Sequence, residues 1–217
     1  MKKDTVIFDL DGTLLNSLGD IHAGFNYAMK SCGYKECSME EVKAYVGNGI
    51  KKAFERAIPE CREELTEKLV LAFKSYYINH LNELTTPYDG IMDMLKELKE
   101  KHYSMAIVSN KYDDAVKELC KNYFPDYISV AVGESAKIKR KPSIDGIIIA
   151  LGQLGKGLEN VIYVGDSEVD IKTAENAGVP CISALWGFKD KEYLENFGGK
   201  LFAEKPGDII KIIENFI

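Results

Sequence analysis

From Pro87 onward the chain repeats one pattern: a short, almost uninterrupted apolar run, a polar residue that ends it, and a stretch with apolar positions at helical spacing. The repeats read as helix Ile91 to Lys99, strand Ser104 to Val108, helix Asp113 to Asn122, strand Ile128 to Val132 and helix Ile144 to Leu154. They continue as strand Val161 to Val164, helix Val169 to Ala177, strand Pro180 to Ala184 and a terminal helix from about Gly207 to Phe216. A strand that is apolar on both faces needs cover on both faces, which confines the chain to an α/β, Rossmann-like core: a parallel sheet with helices above and below. Val6-Ile7-Phe8, which stops at Asp9 before a turn at Asp11-Gly12, supplies a first strand of the same kind.

The segment from Ser17 to Thr86 is too long for a connecting loop and carries amphipathic helices of its own. Leu18, Ile21, Phe25, Ala28, Met29 and Cys32 follow helical spacing, and Ser38-Met39-Glu40-Glu41 reads as a capping box that opens a second helix. A longer helix runs from about Arg62 to Leu84. The expected organisation is a catalytic core of residues 1–16 and 87–217 with an inserted α-helical cap domain at 17–86. Tyr76, Tyr77 and His22 are assigned to packing or surface.

Lysine and arginine total 28 against 34 acidic residues, a net charge of −6, which lacks the basic footprint of a nucleic-acid binder. No apolar run approaches the roughly 20 residues of a membrane helix, and Met1-Lys2-Lys3-Asp4 leads into no cleavable signal pattern. A cytoplasmic protein with neither nucleic-acid nor membrane partners is expected. Cys32, Cys37, Cys61, Cys120 and Cys181 form no C-x-x-C pair and read as buried thiols. His22, His80 and His102 lack metal-site spacing, so oxygen ligands must hold any metal.

In an open α/β sheet, ligands bind beyond the carboxyl ends of the strands. Three such ends are polar: Asp9-Leu10-Asp11-Gly12-Thr13, Ser109-Asn110-Lys111, and Gly165-Asp166-Ser167 with Asp170 beyond it. Singly, each has a plainer reading as a turn or a helix cap, and Lys141-Pro142 reads as a solvated lysine before a helix start. Together they would gather four carboxylates at one sheet edge, where like charges need compensation. A hard divalent cation supplies it, Mg2+ typically through one or two carboxylates plus water and phosphate oxygens. Ser109 and Lys141 add a hydroxyl and a point charge suited to phosphate, so the constellation points to phosphoryl transfer.

The ordered set Asp9-x-Asp11-Gly12-Thr13, Ser109-Asn110, Lys141-Pro142 and Gly165-Asp166-Ser167-x-x-Asp170 resembles the haloacid dehalogenase superfamily, in its phosphoglycolate-phosphatase-like branch with an α-helical cap. The resemblance implies a Mg2+-dependent phosphatase acting on a small phosphorylated metabolite, with Asp9 as the nucleophile that becomes an aspartyl phosphate and Asp11 as general acid and base. It implies that Thr13, Ser109, Asn110 and Lys141 bind the phosphoryl group. Mg2+ would be held by Asp9, the backbone carbonyl of Asp11 and Asp166, with Asp170 as a ligand or supporting carboxylate. Gly47, Asn48 and Gly49 would form a substrate-specificity loop, a stretch that also reads as a plain turn between helices. Trp186-Gly187-Phe188 is similar to a segment of this branch and reads equally as substrate contact or as apolar packing.

Asp11 disfavours dehalogenation, because the dehalogenases lack a second aspartate there. Asn16 and Ile144 depart from the phosphatase pattern, at the cap hinge and in the loop after Lys141 respectively. Three other readings stay open: a pyrophosphatase, a phosphomutase of the β-phosphoglucomutase kind, and a receiver-like domain that accepts phosphate once per donor. The oligomeric state is not legible.

Overall fold

Val6, Ile7 and Phe8 have no exposure to solvent, and the strand they build, β1 (Thr5–Phe8), is central to the sheet. The computed structural model describes residues 3–60 and 62–215. Met1 and Lys2, Cys61, and Phe216 at the end of the expected terminal helix lie outside the described residues. After β1 the chain passes through β2 (Leu15–Asn16), α1 (Leu18–Ser31), α2 (Met39–Tyr45), α3 (Ile50–Ala57), α4 (Glu63–His80) and β3 (Thr86–Pro87). It then alternates through α5 (Ile91–Glu100), β4 (Ser104–Tyr112), α6 (Asp113–Tyr123), β5 (Val130–Glu134), α7 (Asp145–Leu154), β6 (Val161–Gly165) and α8 (Glu168–Ala177). The last elements are β7 (Cys181–Ala184), α9 (Lys191–Asn196), β8 (Leu201–Ala203) and α10 (Pro206–Glu214).

Six strands lie in the order β5-β4-β1-β6-β7-β8, every neighbouring pair parallel. Thr5 to Phe8 run beside Ser104 to Ile107 on one side and Val161 to Val164 on the other. That register brings Asp9, the Ser109 segment and Asp166 out at the same edge. The chain order also reverses there, with β4 on one side of β1 and β6 on the other, which opens a crevice beyond the strand ends. Below it, Ile7, Val108, Val132, Ile147, Leu151 and Tyr163 pack into one buried cluster.

The chain divides into two compact units, residues 1–15 with 87–217 and Asn16–Thr86. β2 and β3 pair as a separate two-stranded ribbon where the chain passes from one unit to the other and back. Within the helical unit, Phe25 stacks on Phe54 with ring centres 4.4 Å apart and Phe73 on Tyr77 at 4.8 Å. Ser38 caps α2 as its sequence predicts, accepting from Glu41 N while Glu41 accepts from Ser38 N. Asp20, buried in α1, accepts hydrogen bonds from Leu84 N and Thr85 N, both at 2.9 Å, and from Thr85 Oγ1 at 2.6 Å. That attachment explains why α4 stops at His80 instead of reaching Leu84: the backbone N–H groups of Leu84 and Thr85 serve the Asp20 carboxylate.

Three further differences have physical reasons. α3 is unexpected because its sequence, Ile-Lys-Lys-Ala-Phe-Glu-Arg-Ala, offers only two fully buried positions, Ala53 and Phe54. α9 is short and mostly polar and β8 is only three residues long, so neither shows a period, and β5 begins at Val130, two residues after Ile128, which is held instead by the turn Ile128 N to Phe124 O. Of the described cysteines only Cys120 is buried, whereas Cys32, Cys37 and Cys181 are partly exposed and all four are free. Tyr77 is buried, Tyr76 stacks between Tyr27 and His80, and His22 meets Cys37 O at 2.9 Å, all of them packing roles. Among the described residues no helix is long and apolar enough to cross a membrane.

Candidate active site

Asp9 is the first residue beyond β1, and its backbone N–H still donates to Val164 O across the sheet, which fixes where its carboxylate stands. The tight backbone that follows depends on Gly12. Its φ is +84°, and a Cβ there would lie 2.3 Å from Asp166 Oδ2, so the position excludes any side chain on both counts. Asp166 itself leaves the end of β6 buried, accepting from Phe188 N at 2.7 Å and from Thr13 Oγ1 at 3.3 Å.

The carboxylates of Asp9, Asp166 and Asp170 can bring one oxygen each within 4.8 Å of one another. Burial pushes the Asp9 carboxyl up to about 7, with Lys141 opposing and Asp170 and Asp11 adding to the rise. Burial, then Asp170 and Asp9, push Asp166 well above the usual carboxylate range. Asp9 Oδ1 is buried without a hydrogen-bond donor. Lys141 Nζ lies 2.8 Å from it as an ion pair. Clustered, dehydrated carboxylates with an oxygen left over are the donor set a hard divalent cation fits.

Lys141 enters from the loop after β5. Asn110 brackets its backbone on both sides: Lys141 N donates to Asn110 Oδ1 at 2.7 Å, and Asn110 Nδ2 donates to Lys141 O at 3.2 Å. The ammonium donates to Asp170 Oδ1 at 2.7 Å and to the Tyr163 hydroxyl at 3.1 Å. Burial pulls its pKa down, but Asp170 and Asp9, with Tyr163, outweigh burial and hold Lys141 charged. Asp170, with no solvent exposure, also accepts from Ser167 Oγ at 2.6 Å and Ser167 N at 3.1 Å. Its carboxylate therefore orients both Lys141 and the start of α8.

The structure thus places Asp9, Asp11, Ser109, Lys141, Asp166 and Asp170 in one compact unit, and it gives two of the expected phosphate ligands different visible partners. Thr13 directs its hydroxyl at Asp166, and the Asn110 side chain anchors Lys141. The Ser109 hydroxyl accepts from Lys111 N at 3.2 Å, which leaves its proton to give. Gly47, Asn48 and Gly49 lie in the helical unit between α2 and α3, with φ of +114° at Gly47 and +79° at Gly49.

Sequence reasoning missed the roles of Tyr163 and Lys111, and it left Trp186-Gly187-Phe188 open between substrate contact and apolar packing. Tyr163 reads as a core aromatic, yet its hydroxyl reaches Lys141 and lies 3.2 Å from both Val108 O and Asp170 Oδ1; a tyrosine in a fully buried strand was the available signal, since its hydroxyl requires a partner. Lys111 pairs with Asp11 at 2.7 Å. Trp186-Gly187-Phe188 backs the site from within: Trp186 Nε1 donates to Thr13 O at 2.9 Å, Phe188 N holds Asp166, and a Cβ on Gly187 would stand 2.3 Å from the Asp166 Cβ.

The sequence matches the haloacid dehalogenase-like hydrolase family over residues 6–184, a span that includes every motif residue from Asp9 to Asp170. A phosphoglycolate phosphatase of Aquifex aeolicus is 30% identical over 214 residues, covering 98% of this chain and 97% of that protein. The pyrophosphatase PpaX of Listeria innocua is 28% identical over 216 residues, covering 99% and 98%. A solved structure from Lactobacillus delbrueckii subsp. bulgaricus superposes with a TM-score of 0.94 at 30% identity, covering 98% of this chain and 99% of that one.

Proposed function

The chain belongs to the haloacid dehalogenase-like hydrolase family, and from that premise we propose that it is a Mg2+-dependent phosphatase of small phosphorylated metabolites, working through an aspartyl phosphate on Asp9. The observation that carries the reading is the Asp9 carboxylate: buried at the sheet edge, one oxygen lacking a donor, beside a charged lysine and two further carboxylates. Asp9, the backbone carbonyl of Asp11 and Asp166 would hold Mg2+, which supplies positive charge against the phosphoryl oxygens. Asp170 is already engaged by Lys141, Tyr163 and Ser167 and supports the site from behind.

An Asp9 oxygen attacks phosphorus while the bond to the leaving oxygen breaks, and Asp11 gives that oxygen its proton. Lys141 and the Ser109 hydroxyl stabilise charge on the transferred group where it develops. Water then attacks the aspartyl phosphate, Asp11 takes the water's proton, and the bond to Asp9 breaks, restoring the carboxylate and releasing phosphate. Phosphoglycolate is the leading substrate, on the Aquifex relative. Pyrophosphate is the second reading, carried by relatives that match nearly the whole chain.

Chelation with EDTA should abolish phosphate release across a panel of phosphorylated metabolites, and Mg2+ should restore it. Calcium, larger and looser in geometry, should support little turnover. Full activity in excess EDTA would overturn the metal assignment.

The helical unit is proposed to choose the substrate while the sheet performs the reaction, because no motif residue lies between Asn16 and Thr86. Gly49 begins α3 at a φ of +79°, a conformation β-branched residues resist. Gly49→Val should lower kcat/KM on the preferred metabolite much more than on p-nitrophenyl phosphate, with unchanged Mg2+ dependence. Equal losses would make the turn a purely structural element.

A further inference from the structure

Two lysines contact the motif aspartates, and they pair with different ones. Lys141 is held between Asp9 and Asp170, at 2.8 and 2.7 Å, and so belongs to the phosphoryl group being transferred. Lys111 is held by Asp11: its ammonium lies 2.7 Å from Asp11 Oδ1, with the two side chains 6% and 17% exposed. The local backbone explains how a strand residue reaches that place. Between Val108 and Tyr112 the pairing of β4 with β5 slips register, which re-aims the residues between them. Gly133 on β5 admits the approach, since a Cβ there would stand 2.7 Å from Lys111 O.

On the phosphatase reading, on which this inference rests, Asp11 protonates the leaving oxygen from about 3 Å away. The Lys111 ammonium therefore falls within roughly 6 Å of that oxygen. An ester with a carboxylate one carbon beyond the leaving oxygen, or a second phosphoryl group on it, places an anion inside that reach. An ammonium has three N–H donors, so Lys111 can keep Asp11 and hold the anion together. In a largely dehydrated setting such a pairing discriminates strongly between charged and neutral leaving groups.

We infer that Lys111 is a specificity-determining residue: it selects substrates whose leaving group carries its own negative charge. Phosphoglycolate and pyrophosphate, which differ in size and chemistry, share that property, and a neutral alcohol as leaving group lacks it. Lys111 thus acts on the group that departs, whereas Lys141 acts on the group that stays.

The test compares kcat/KM for two anionic probes, 2-phosphoglycolate and pyrophosphate, with that for 2-hydroxyethyl phosphate, which replaces the carboxylate of phosphoglycolate by an uncharged alcohol. Wild-type protein should favour whichever anionic probe it turns over faster, and Lys111→Met should shrink that preference by about 10- to 100-fold. Lys111→Arg, which keeps the charge, should retain most of it. Each ratio is taken within one preparation, so a partly unfolded variant does not distort it. Equal losses on charged and neutral substrates would overturn the inference, because Lys111 would then only position Asp11. Wild-type protein that releases phosphate from none of the three overturns the underlying phosphatase reading itself.

Discussion

Asp9→Asn is expected to leave no measurable phosphate release from any substrate the wild-type protein accepts, a loss of at least about 10,000-fold in kcat. The amide keeps the shape of the side chain but cannot supply the electron pair that forms the acyl phosphate, and no neighbouring carboxylate replaces it in place. Asp166 is occupied by Phe188 N and Thr13, and Asp170 by Lys141 and Ser167. Folding should survive, because the substitution removes one charge from a crowded buried cluster while Asp170 still pairs Lys141. Two measurements check this: continuous phosphate release, and acid-quenched mass spectrometry, which should find a phosphoryl adduct on wild-type protein and none on the variant. Residual turnover above about a hundredth of wild type would rule out the covalent route.

Lys141→Met should damage stability as well as turnover. The ammonium is buried, and it is the partner shared by Asp9 and Asp170. Removing it leaves two dehydrated carboxylates facing each other, with an expected cost of about 3–5 kcal/mol. For a chain of this size that corresponds to a fall in Tm of roughly 10 °C. Activity should fall with it, since the charge opposing the phosphoryl oxygens is gone. Thermal melts without divalent cation read the first effect directly. A Tm within a degree of wild type would mean that the pairing contributes little and that the lysine serves catalysis alone.

How much of this was legible beforehand divides along a physical line. β1, the helix from Leu18 and the capping box at Ser38 were readable because apolar spacing and local capping act over a few residues. The placement of Asp9 beyond β1 and of Asp166 beyond β6 followed from the same reading, since a parallel sheet puts such ends on one edge, whereas β4 runs on past Val108 through Ser109 to Tyr112. What stayed hidden depends on contacts across long sequence separations. The end of α4 is set by Asp20, the burial of Tyr163 conceals a hydroxyl that reaches Lys141, and Asp166 is held by a backbone N–H that leaves no mark in the sequence. Lys111 stood in plain view beside Asn110, but its pairing with Asp11 depends on a register slip in β4 that no local pattern announces.

The Asp20 attachment bears on how such a chain can be recombined. Asp20 follows the entry into the helical unit, and Leu84 and Thr85 precede the exit, so the carboxylate staples the beginning of the insert to its end. A graft or deletion joined at Asn16 and Thr86 would carry the staple along intact, moving the helices as a cassette and leaving the sheet with ends already paired through β2 and β3. A junction placed only a few residues inward, between Asp20 and Leu84, would strand a buried carboxylate without its three donors. The insert is therefore exchangeable as a whole and resistant to being exchanged in part, a constraint on which chimeras of this chain can fold.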